Sequence, residues 1–72
     1  MKELTAQDQH WLDTARKELL RAESLAKYNR TAAAQESLRE VLFLMTNLPR
    51  WFTDTELETQ FQQLYKQLYN GT

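Results

Sequence analysis

Only a few side chains in this 72-residue sequence are of the types that carry out chemistry. His10 is the single histidine, and there is no cysteine. An imidazole works as a general base when a neighbouring group orients it. His10 stands beside Trp11 early in a helical pattern, with no designed partner visible, so it reads as a surface histidine. Asp54, Glu56 and Glu58 form the second group. Paired carboxylates can share acid–base work, but acidic residues in a first helical turn more simply complement the helix dipole. One histidine without cysteine does not make a structural zinc site. A single glycine leaves no phosphate-cradling loop. A chain this short also has little volume for a pocket of several hundred Å³. The sequence points away from an enzyme and supplies no catalytic, cofactor-binding or metal-binding residue.

The elements that position these groups are organised around Leu38 to Leu48, the most apolar run. Seven of its eleven residues are Leu, Val, Phe or Met. At about 100° per residue, Leu38, Val41, Leu42, Leu44, Met45 and Leu48 share one broad face. Such a face suits a middle helix that touches neighbours on two sides. Strand is the competing reading for a short run with Val and Phe, but the preceding Ala32, Ala33, Ala34, Gln35 and Glu36 are good helix formers. Phe43 falls off the face, among Glu36, Arg39, Glu40 and Asn47.

Upstream, Thr5 and Asp8 form a loose capping box. Leu12, Ala15, Leu19, Ala22 and Ala26 then recur at spacings of three and four, with Trp11 and Leu25 widening the stripe. The small residues allow a close helix approach. Leu20 lies off the stripe, between Arg16, Lys17, Glu23 and Lys27. Tyr28 to Thr31 is a break without Gly or Pro, where Asn29 or Thr31 can cap the next helix. One continuous helix is the alternative, but it would leave the apolar stripe exposed. Downstream, Pro49 disfavours helix at Leu48. Thr53 and Glu56 make a full capping box, with Phe52 and Leu57 as its hydrophobic staple. Leu57, Phe61, Leu64 and Leu68 form a stripe, Tyr65 and Tyr69 flank it one turn apart, and Gly71 stands where a C-cap glycine belongs. The expectation is all-α: a single domain over 1–72, a small three-helix bundle made of a helical hairpin plus a capped third helix. The helices are expected at about 5–28, 31–47 and 53–70. No repeat, linker or low-complexity tract interrupts it.

Apolar residues make up 42% of the chain and charged residues 26%, a globular composition. A domain of this size buries only about 60% of the surface of its unfolded chain. No disulfide can staple it, so packing, oligomerisation or a partner must stabilise it. Nine basic and ten acidic residues give a net charge of −1, which offers no strong attraction to nucleic acid or anionic membrane. A third helix used as a DNA reader would present Asp54, Glu56 and Glu58 to phosphates, the wrong sign. No run of about 18 apolar residues would span a membrane. The residues from Met1 to Asp8 lack the apolar core of a signal peptide, which predicts a cytoplasmic protein.

What remains is apolar surface that the fold does not need. Phe43 and Leu20 sit on polar faces, Tyr65 and Tyr69 line an edge, and Trp11 and Trp51 lie near ends and corners. Single exposed apolar residues are normal, and either tryptophan can close an end of the core. As a set, in a chain too small to bury them all, they suggest an interface anchored by aromatic residues. The expected function is a small protein–protein interaction module (an adaptor, cochaperone or inhibitor of another protein). Phe43, Leu20, Trp51, Tyr65, Tyr69 and Trp11 are its candidate contacts, with no cofactor. The partner is another protein or a second copy of the chain. The alternatives are a self-assembling homo-oligomer and a helix-turn-helix nucleic-acid-binding regulator.

Overall fold

The computed structural model describes residues 3–69. They form a three-helix bundle of α1 (Ala6–Lys27), α2 (Thr31–Thr46) and α3 (Thr55–Tyr69), with no strand among the described residues. The molecule is long and thin, 44 × 17 × 15 Å. Residue 70 and the expected C-cap, Gly71, lie outside the described residues.

α1 starts at the capping box expected from the sequence. The Asp8 N–H donates to Thr5 Oγ1 at 3.0 Å, and the Thr5 N–H donates back to Asp8 Oδ2 at 3.1 Å. Two of the donors left unpaired at a helix start are thereby satisfied. Leu12, Ala15, Leu19 and Ala22 are buried in one cluster with Leu38, Val41 and Leu44 of α2, which also buries Ala34 and Ser37. Ala15, Ala22 and Ala34 have no exposed surface, as a close approach of two backbones requires. These residues hold α1 and α2 in an antiparallel hairpin.

The break between α1 and α2 is a real turn, but its chemistry differs from expectation. Neither Asn29 nor Thr31 caps α2; its N-cap is Arg30, without a side-chain hydrogen bond. Asn29 instead terminates α1. Its φ of 61° places it in the left-handed region, which Asn tolerates better than most residues. The Asn29 N–H donates to Ala26 O at 3.1 Å and the Arg30 N–H to Leu25 O at 2.9 Å. That pair of bonds is the Schellman pattern.

α2 ends two residues before Leu48. The Thr46 hydroxyl and the Asn47 side-chain amide both donate to Phe43 O, at 2.6 and 2.9 Å. After Pro49, the Phe52 N–H donates to Pro49 O at 3.1 Å and turns the chain. α3 then starts at Thr55, two residues later than expected. Its cap is Asp54 and not Thr53: the Leu57 N–H donates to Asp54 Oδ1 at 3.0 Å. The residue three positions on is therefore the apolar Leu57, so Glu56 makes no reciprocal bond of a capping box. Phe52 and Leu57 do share a crevice, with Met45 and Leu48.

α3 lies antiparallel to α2. Gln35, near the start of α2, donates to Leu68 O near the end of α3 at 3.1 Å, while Met45 sits by Leu57. Leu57 and Leu64 are buried, and Phe61 and Leu68 pack half-buried against the core. One expectation for the central helix fails. Leu42 is 49% exposed, whereas Leu38, Val41 and Leu44 are buried. The face of α2 is wide enough for two neighbours, but α3 covers only part of its second side.

Candidate protein-interaction surface

None of the eight aromatic residues is fully buried. The largest fully buried side chains are Leu19, Leu38 and Val41, so the core is aliphatic and the rings lie at its margins. Aromatic side chains usually dominate either a core or an interface.

α3 distributes its residues by flank. Gln60, Gln63 and Gln67 line a polar groove with Glu23 and Lys27 of α1. The opposite flank carries Phe61, Tyr65 and Tyr69 at spacings of four. Their rings stack in sequence: Phe61 to Tyr65 at 6.1 Å and 29°, Tyr65 to Tyr69 at 4.6 Å and 28°. Tyr65 and Tyr69 are exposed. This ladder runs along the α2 side of α3.

Leu42 belongs beside it. Gln35, Leu38, Leu42 and Met45 follow one another on α2 at spacings of three and four. The two ends of that row meet α3, at Leu68 and Leu57 respectively. Leu42 therefore lies along the same seam, half exposed. Its position could not be read from periodicity alone, because periodicity put it inside. Phe43, 59% exposed, is the next residue round the helix. Leu42, Tyr65 and Tyr69 give the α2–α3 seam an apolar, aromatic character, and Phe43 is exposed on the adjoining face of α2.

The other candidates lie elsewhere. Leu20 is 63% exposed and lines a groove with Arg16, Asp54, Glu56, Leu57 and Gln60. That groove is on the α1 side of α3, so Leu20 and the tyrosine ladder occupy opposite flanks and cannot share one flat contact. Trp51 is an exposed corner residue whose ring meets Phe52 edge-on, at 6.1 Å and 86°. Trp11 is half-buried against the core, 5.9 Å from the exposed His10 ring, and works as an end-piece of the bundle. Tyr28, exposed at the first turn, was legible only as a turn residue.

The acidic cluster resolves into one structural carboxylate and two exposed ones. Asp54 Oδ1 caps α3, and Oδ2 accepts from Arg16 Nη2 at 2.6 Å. The Leu57 N–H, and then Arg16, hold this carboxyl below its ordinary value of 3.8, against the opposing effect of burial. A base with its pKa depressed in this way is poorly matched to proton abstraction near neutrality. Glu56 and Glu58 face solvent. Among the described residues no three His, Asp or Glu side chains are grouped to hold a metal ion, and no helix is long and apolar enough to cross a membrane. No protein-family model, curated protein or solved structure matches this chain.

Proposed function

We propose that this chain is a small non-enzymatic protein-binding module of the cytoplasm, acting as an adaptor, cochaperone or regulator of another protein. Its contact surface is Leu42, Phe43 and the Tyr65–Tyr69 edge. The observation that carries the reading is the position of the aromatic residues. A 72-residue chain with eight aromatic rings leaves all of them wholly or partly at the surface, and builds its core from Leu, Val and Ala. Aromatic anchors of this kind contribute disproportionately to binding. Their display on helices supplies rigid contact area at low entropic cost. The exposed Glu56 and Glu58 at the start of α3 weigh against its use as a nucleic-acid reader.

The test is retention of partners on the immobilised chain, compared with a Phe43→Ser/Tyr65→Ser variant of unchanged helicity. A partner held by the wild type and lost by the variant supports the reading; equal retention overturns it. Light scattering on the same pair separates the homo-oligomer alternative. A wild-type dimer that becomes monomeric in the variant assigns the surface to a second copy.

A further inference from the structure

α3 is fastened differently from its neighbours. α1 buries four residues and α2 five, but α3 buries only Leu57 and Leu64. Its remaining attachments include polar ties at its two ends. At the start, the Asp54 carboxylate both caps the helix and accepts from Arg16 of α1. At the finish, the Gln35 amide holds Leu68 O. A helix of 15 residues is marginal in water on its own. The helicity of α3 therefore depends on its cap and its docking together, and one carboxylate serves both.

We propose that α3 is a releasable strap, which undocks as a unit from an α1–α2 hairpin that stays packed, with Asp54 as its latch. The latch couples two events. When Asp54 leaves Arg16, the first turn of α3 loses the orientation of its cap. When the cap frays, Arg16 loses its partner. Release uncovers Met45 of α2 and Leu48 just after it, which with Phe52 and Leu57 close a crevice of roughly 60 Å³ beneath the start of α3. Openings of this kind involve contiguous units whose free energy lies below that of global unfolding.

Hydrogen exchange of the intact chain, read by mass spectrometry or NMR near neutral pH, tests this. The α3 amides are expected to exchange together and at least about tenfold faster than the most protected amides of α1 and α2. Asp54→Ala, which removes cap and ion pair, should accelerate α3 about tenfold further and leave the hairpin's slowest amides unchanged. Asp54→Asn keeps a capping acceptor and should fall between the two. A single protection level shared by all three helices in the wild type would overturn the proposal. So would equal acceleration of hairpin and α3 in either variant. The wild-type pattern and Asp54→Asn decide the matter even where Asp54→Ala fails to fold.

Discussion

Arg16 and Asp54 stand 38 positions apart in the chain and meet at 2.6 Å. Arg16 is half exposed, while the Asp54 side chain is largely covered. Asp13 also approaches Arg16, at 3.9 Å, so the guanidinium answers two carboxylates, of which Asp54 is the closer.

The pH dependence follows from the direction of the Asp54 shift. Its folded pKa lies below the ordinary 3.8, so its ionised form is favoured by folding. That stabilisation is fully present above the ordinary value and is lost as pH falls through the lowered one. The melting temperatures of wild type and Asp54→Asn should differ at pH 6 and converge as the pH drops below about 4. A difference that stays constant down to pH 2, followed by circular dichroism, would contradict this account.

Leu38 and Phe43 should separate core from surface. Leu38 is 1% exposed, and Leu38→Ala should cost about 2–5 kcal/mol. That is enough to unfold much of a small domain. Phe43→Ser should change stability by less than about 0.5 kcal/mol, as surface substitutions usually do. Urea titration of both variants checks the contrast, and a large loss in Phe43→Ser would place that ring in the core.

Asn29 should respond to substitution according to its backbone. At φ 61° a glycine is unstrained, and Asn29→Gly should be close to neutral. Asn29→Val should cost at least about 1–2 kcal/mol, because a β-branched residue clashes in the left-handed region. Thermal melts of the two variants measure the difference. Equal melting points would remove Asn29 from its role at the end of α1.

Ala22 tests the closeness of the hairpin. It has no exposed surface, and Ala22→Leu should destabilise by about 1–3 kcal/mol through overpacking. Ala6→Leu, at an exposed position in the first turn of α1, should be tolerated. Loss of stability in both would indicate an effect of helix propensity and not of packing.

What could be read from the sequence was local. Thr5 and Asp8 are three residues apart, and their capping box needs nothing from the rest of the chain. The stripe from Leu12 to Ala22 faces the core because helical geometry puts it on one side. The failures all involve a distant partner or a backbone angle. Thr53 carries the stronger capping pattern, but the cap is Asp54, whose second oxygen pairs with the distant Arg16. Asn29 looked like the start of α2, and its left-handed φ makes it the end of α1. Leu42 has the spacing of a buried residue, yet its burial depends on how much of that side of α2 the third helix covers. Leu20 and Tyr65 both stood out as misplaced apolar residues. Only the docking of α3 shows that they face different ways.

The aliphatic core also decides what an optical experiment on this protein sees. Trp11 packs half-buried at the margin of the core and Trp51 stands exposed at a corner, so intrinsic emission reports on the margins of the bundle, through the cover that Trp11 loses as it opens. The stacked phenol rings of Tyr65 and Tyr69, 4.6 Å apart, give α3 its own contribution to the near-ultraviolet dichroism. Far-ultraviolet dichroism follows α1 and α2, which hold most of the helical residues. Three spectroscopic probes applied to one denaturation curve would thus follow three parts of the molecule, and disagreement among their midpoints would map the order in which those parts come apart.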